Sequence, residues 1–168
     1  MGFKEVAVEE LQFNPFTMIG KEWMLVAAGD EKEHNAMTAA WGGVGVLWKK
    51  NVVTAYIRPQ RYTREFVDDN DRFTLSFFGD EYREMFQIMG TKSGRDTDKE
   101  KEAGLTPFYV DGTTAYEEAK LIFVCKKQYH QLMLPDCFDV PENDEKWYPK
   151  KDYHLMYVGE IEKVLVRE

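Results

Sequence analysis

The segment Arg58-Pro59-Gln60-Arg61-Tyr62-Thr63 closes an apolar run with two guanidinium groups and a hydroxyl, which is what a phosphate ester needs. An arginine fork donates two parallel bonds to phosphate oxygens, and the Thr63 hydroxyl adds a third donor. A helix beginning at Thr63 would aim its first free N–H groups at the same place. Upstream, Asn35-Ala36-Met37-Thr38-Ala39-Ala40-Trp41 offers a different chemistry. Ala39 and Ala40 are small enough for a flat ring to lie against the backbone, Met37 and Trp41 supply apolar cover, and Asn35 and Thr38 supply donors and acceptors. A ligand with an ionised ester at one end and a planar polar ring at the other would use both segments. A plainer reading of the same residues stays open: Thr63 caps a helix, Arg58 and Arg61 pair with Glu65, Asp68 or Asp69, and Met37 and Trp41 fill a core.

Three further stretches follow in order: Phe73-Thr74-Leu75-Ser76-Phe77-Phe78, the cationic loop Lys92-Ser93-Gly94-Arg95-Asp96, and the closing Tyr153-His154-Leu155-Met156-Tyr157-Val158-Gly159-Glu160-Ile161. With N-x-M-T-x-x-W at Asn35 to Trp41 and R-P-x-R-Y-T at Arg58 to Thr63, this order resembles the flavin reductase-like family of FMN-binding split barrels. The resemblance covers nearly the whole chain. It implies an FMN whose phosphate is held by Arg58, Tyr62 and Thr63, with Ser93 and Lys99 reaching the cofactor from the second cationic loop. It also implies an isoalloxazine against Asn35, Met37, Thr38, Ala39, Ala40 and Trp41, and a histidine near the flavin for which His130 is the candidate.

A flavin carries the redox chemistry itself, so no catalytic acid is needed and none is assigned. The resemblance implies an NAD(P)H:flavin oxidoreductase, in which the nicotinamide binds transiently over an open flavin face and electrons pass to or through FMN. The onward partner is a small molecule or a redox protein. Two alternatives remain: a flavoredoxin-like electron-transfer protein reduced by another protein, and a non-catalytic flavin-binding protein. Members of the family pair as homodimers with the cofactor near the interface, and the segment from Leu134 to Lys151 is a candidate cover for the pocket or for the neighbouring chain.

Several other chemistries find no support. Gly42-Gly43-Val44-Gly45 breaks the dinucleotide fingerprint at Trp48, where a glycine is required. His34, His130 and His154 are too scattered for a metal site. The net charge of −8, from 30 acidic and 22 basic residues, argues against nucleic acid. The apolar runs around residues 23–29 and 39–48 are too short to span a bilayer. The acidic first residues lack the pattern of a secretory signal, and Cys125 and Cys137 read as reduced thiols, so a cytoplasmic location is expected.

The elements that must position these residues are mostly strands. Trp23 to Ala28 is a continuous apolar run suited to a strand buried on both faces, and Val52 to Ile57 is rich in β-branched residues. Phe73, Leu75 and Phe77 alternate with Thr74 and Ser76, and Leu121 to Cys125 and Ile161 to Val166 are also strand-like. Thr63 to Asn70, with Thr63 as N-cap, and Glu81 to Met89 predict helices. Thr91 to Glu102 reads as a solvated loop or frayed helix, and Leu134 to Lys151, with Pro135, Pro141 and Pro149, as a surface excursion. No alternating strand–helix rhythm appears, so a parallel sheet is disfavoured. The expectation is one domain over residues 1–168, mainly β, an antiparallel barrel with peripheral helices. The family resemblance makes it a Greek-key split barrel.

Overall fold

The strand Arg72–Phe77 is paired along its length on one side and at Thr74, Leu75 and Ser76 on the other, and its central place helps 168 residues enclose so much apolar material. The computed structural model describes residues 2–168. In chain order the elements are β1 (Phe3–Val6), α1 (Pro15–Thr17) running into a π-turn at Met18–Glu22, β2 (Met24–Gly29), β3 (His34–Ala39), β4 (Gly42–Leu47), β5 (Lys50–Ile57), α2 (Tyr62–Asp69) and β6 (Arg72–Phe77). They continue with α3 (Arg83–Thr91), α4 (Lys99–Ala103), β7 (Pro107–Val110), β8 (Thr113–Tyr116), β9 (Leu121–Leu132), α5 (Pro141–Trp147) and β10 (Leu155–Arg167). The main sheet runs β3-β2-β6-β9-β10-β5-β4, with β1 added beside β10, and every pairing is antiparallel. Its two ends, β3 and β4, are joined in the chain by Ala40 and Trp41 alone, so the sheet must curl until its edges approach.

The curl makes an inside and an outside, and strand alternation fills both. Phe73, Leu75 and Phe77 of β6 point inward with Leu121, Phe123 and Cys125 of β9 and Met24, Val26 and Ala28 of β2. The intervening Ile122, Val124, Leu25 and Ala27 point outward onto Met85, Phe86 and Met89 of α3 and Ala115 and Tyr116 of β8. Burying each large side chain contributes roughly 1.5–3 kcal/mol. The polar outward residues of β6 need partners, and Thr74 Oγ1 donates to Thr114 O at 2.6 Å. Gly159 of β10 lies against Phe73 so closely that a Cβ there would sit 2.6 Å from the ring Cζ. The two thiols are free, with Cys125 buried in the barrel and Cys137 exposed.

The expected strands are present, and the antiparallel mainly-β class holds. Three local expectations change. Thr63 is not the cap of α2: the N-cap is Arg61, whose extended backbone ends the approach from Pro59, and Thr63 lies buried in the first turn. The helix expected over Glu81 to Met89 starts at Arg83, after a 3-10 turn at Asp80–Tyr82, and runs on to Thr91. The stretch read as a solvated loop contains α4, whose first residue, Lys99, is 4% exposed. Among the described residues no helix is long and apolar enough to cross a membrane.

Candidate functional site

Strand β3, the start of α2, the loop after α3 and the start of α4 converge on a cavity of about 230 Å³ lined by Asn35, Met37, Arg61, Thr63, Ser93 and Lys99, with Tyr62 at its side. The local geometry follows from two helix ends. The first turn of α2 leaves N–H groups without intrahelical acceptors, and the last turn of α3 leaves carbonyls without intrahelical donors. The carbonyls are used to hold cations: Arg61 Nη1 donates to Gly90 O at 3.0 Å, and Lys99 Nζ donates to Met89 O at 3.1 Å and Lys92 O at 3.3 Å. The negative end of the α3 dipole thus gathers two positive side chains opposite the positive end of α2.

Among the described residues neither Arg61 nor Lys99 has a carboxylate partner. Burial, reinforced by the charge of Arg61, brings the Lys99 ammonium down to about 8, and burial also lowers Arg61. Two desolvated cations side by side are unfavourable alone and favourable around an anion. Lys99 retains one ammonium proton and Arg61 most of its fork for that purpose.

The rest of the cavity wall is polar and tightly fitted. Asn35, 6% exposed, donates through Nδ2 to Thr63 Oγ1 at 2.8 Å, which binds β3 to α2. Gly94 brings the loop so close that a Cβ would meet Asn35 Oδ1 at 2.1 Å. Arg95 closes the loop over the helix, its guanidinium 4.4 Å from the Tyr62 ring centre and its Nη2 3.0 Å from Glu65. Ser93 turns its hydroxyl to the Arg95 N–H.

The remaining candidates lie elsewhere. Arg58 points away from the cavity to the segment before β10, pairing with Asp152 at 2.9 Å, donating to Trp147 O at 3.0 Å and standing over the Tyr148 ring. That segment reaches Trp41, whose ring meets Trp147 at 5.2 Å and His154 at 5.2 Å. Thr38 turns to α3, donating to Phe86 O at 2.6 Å. Ala39 is buried in the barrel core and Ala40 joins it to Trp41, while Met37 is shared between core and cavity. His130 is exposed on β9 with its ring stacked on Tyr157, away from the cavity lining. So the structure brings Asn35, Met37, Tyr62, Thr63, Ser93 and Lys99 together around Arg61, and sets Trp41 and Arg58 in a second, aromatic cluster. His154 of that cluster is buried, and burial together with Arg58 takes its imidazole down to about 4. Its Nδ1 meets the Tyr148 hydroxyl at 2.7 Å. The sequence offers His154 within the closing stretch from Tyr153 to Ile161 but gives it no role of its own, because Trp41 and Tyr56 reach it from distant parts of the chain.

The donor set suits a phosphorylated ligand: two desolvated cations, a buried hydroxyl, free helix N–H groups and no competing acid. The cavity is smaller than the roughly 300–1,000 Å³ of sites that bury a whole drug-sized ligand. It therefore fits the ionised end of a nucleotide rather than all of it.

Comparison with known proteins adds the family. Flavoredoxin of Desulfovibrio vulgaris (Miyazaki F) is similar with a TM-score of 0.69 at 20% identity, over 98% of this chain and 78% of its own. An FMN-binding domain of a flavin reductases-like enzyme from Shewanella baltica OS155 gives 0.69 at 17% identity, over 98% of this chain and 76% of that one. The FMN-binding protein from Thermus thermophilus gives 0.68 at 19% identity, over 98% and 82%. These likenesses show a common fold, the split barrel. No curated protein matches the sequence. A family model described as flavin reductase like domain matches residues 18–168, and the chain therefore belongs to the flavin reductase-like family.

Proposed function

We propose that this protein binds FMN with its phosphate between Arg61, Lys99, Thr63 and the start of α2, and works as an oxidoreductase that takes electrons from NAD(P)H. The observation that carries the reading is a pair of desolvated cations, without a carboxylate partner among the described residues, facing one small cavity. Family membership and the FMN binding of the similar structures support FMN over other phosphate esters. When bound, the isoalloxazine supplies the two-electron redox chemistry. The chain contributes binding and access: Asn35 and Thr63 order the polar wall, Arg95 and Gly94 close the loop, and the half-exposed Trp41, packed on Trp147, offers apolar cover at the barrel edge.

A homodimer completes this reading. The cavity of one chain is too small for a whole flavin nucleotide, and β4 and the turn after it leave Val46 and Trp48 exposed, with Tyr129 of β9 beside Trp48. A cytoplasmic setting suits the two free thiols. The protein as purified should be yellow, or become so with added FMN, and anaerobic NADH or NADPH should bleach it in stopped flow. Colourless protein that takes up no FMN would sink the binding reading. Bound flavin that neither nicotinamide bleaches would leave binding intact and remove the donor.

One observation favours a second reading, an electron carrier reduced by another protein. Beside Tyr62 a groove is lined by Asp30, Glu33, Glu65 and Asp69 against the single cation Lys32, a net acidic surface suited to a basic redox protein. The donor that reduces the flavin decides between the two.

A further inference from the structure

Behind the cavity wall lies a second constellation that spans four elements. Strand alternation sends Asn35 to the cavity and its neighbour His34 to the other side of β3, while α4 sends Lys99 to the cavity and its neighbour Glu100 towards His34. His34 Nε2 lies 2.9 Å from Glu100 Oε2, with both side chains less than a fifth exposed. His34 Nδ1 lies 3.1 Å from Asp30 O. The other Glu100 oxygen accepts the hydroxyl proton of the fully buried Tyr116 on β8.

The donor count of the ring follows from those partners. A backbone carbonyl can only accept, and so can an ionised carboxylate whose second oxygen already receives a proton. Both imidazole nitrogens therefore face acceptors. A neutral ring carries one N–H and would press a lone pair against one of the two oxygens, whereas an imidazolium satisfies both. The other charged and titratable groups around His34 agree. The Tyr109 ring of β7 stands edge-on to the imidazole with centroids 5.6 Å apart, Asp30 and Glu31 lie on the preceding turn, and the Asp30 carboxylate accepts the Lys32 backbone N–H. The Glu100 bond, with smaller help from Asp30, raises His34 above its ordinary value against the effect of burial.

Helix α4 has only five residues, too few to persist without tertiary anchors. Its own caps are Asp98, which accepts the Lys101 N–H, and Gly104 in the left-handed conformation. Glu102 adds an exposed pair with Lys92. On the cavity side Lys99 fastens the helix to the carbonyls of Met89 and Lys92, and on the side facing His34 the half-buried anchor is Glu100.

We propose that His34, as an imidazolium joining Asp30 O to Glu100, is a positioning residue that holds α4 against β3 and so holds Lys99 in the anion site. The strength of that site then follows the proton on His34. This rests on the phosphate reading above, and it makes FMN affinity fall as pH rises through the titration of the ring. Lys99 loses its own charge in the same direction, so the test must separate the two.

The first measurement uses the unliganded protein. Imidazole 15N spectra at about pH 7 should show both His34 nitrogens protonated, and the backbone amides of Lys99 and Glu100 should shift with the His34 titration. A neutral His34 ring at that pH, or α4 amides indifferent to it, overturns the proposal whether or not FMN binds. The second compares FMN and riboflavin affinities of the wild type, His34→Gln and Glu100→Gln at about pH 6.5 and about pH 9. Each variant should lose about tenfold in FMN affinity at the lower pH, approach the wild type at the higher, and bind riboflavin as the wild type does. Equal FMN affinities across all three proteins at both pH values would overturn it. Failure of wild-type FMN binding would instead strike the proposed function, with the spectra still deciding the role of His34.

Discussion

Lys99 and Arg61 share a cavity without a counter-charge, and their predicted roles are separable by ligand. Arg61→Ala and Lys99→Ala should each weaken FMN by about 1.5–3 kcal/mol, the value of a hydrogen bond to a charged group. Riboflavin, which lacks the phosphate, should bind almost unchanged, and flavin fluorescence titration reads both. Binding should also take up a proton. Lys99 in the empty site loses its charge at about 8, below its ordinary 10.5. Between those values the unfolded chain holds the extra proton, so the empty protein gains stability as pH rises there. A bound dianion reverses the preference by favouring the ammonium, and calorimetry near pH 8 in buffers of different ionisation enthalpy should detect the uptake. The meeting of a cation and a hydroxyl at one turn was legible in the sequence because Arg61, Tyr62 and Thr63 are consecutive. Which arginine faces the cavity was not legible: Arg58 is drawn away by Asp152, 94 residues along the chain.

At the scale of elements, strands marked by alternation, by a continuous apolar run or by β-branched residues were readable, and β3 and β4 were not. β6 and the first half of β9 carry their burial pattern in their residue types. β4 is glycine-rich and half exposed, and β3 mixes Asn and Thr with alanines, so neither declares its period. Helix α4 was hidden because its charged composition suits solvent, and the burial of Lys99 comes from packing on α3. Close approach creates a stability prediction on β10. Gly159→Ala would push a methyl group into Phe73 and should cost about 1–3 kcal/mol in chemical denaturation. The excursion between β9 and β10 is fastened by Arg58 to Asp152 and to Trp147 O. Arg58→Ala should speed limited proteolysis between residues 133 and 153 and alter tryptophan emission, while leaving the α2 anion cradle in place.

For the whole molecule, the antiparallel β class was available from the spacing of apolar runs, and the split-barrel topology from the order of family motifs. The division of the interior was not. Strands β2, β6 and β9 wall both apolar clusters, so neither cluster can lose its packing while the other keeps its own. Denaturation followed by far-UV dichroism and by tryptophan fluorescence should coincide in one transition, and separated midpoints would contradict the shared wall. The pairing of chains proposed from β4 predicts that Trp48→Glu shifts sedimentation towards the monomer and weakens FMN retention together. Cys125 and Cys137 differ in a way that any such experiment can use: burial pushes the first thiol far up, and the second stands free on the excursion. A maleimide dye would therefore mark the folded chain at one place only, beside Phe138 and Leu134, and a pair of such dyes would report by energy transfer when two copies meet.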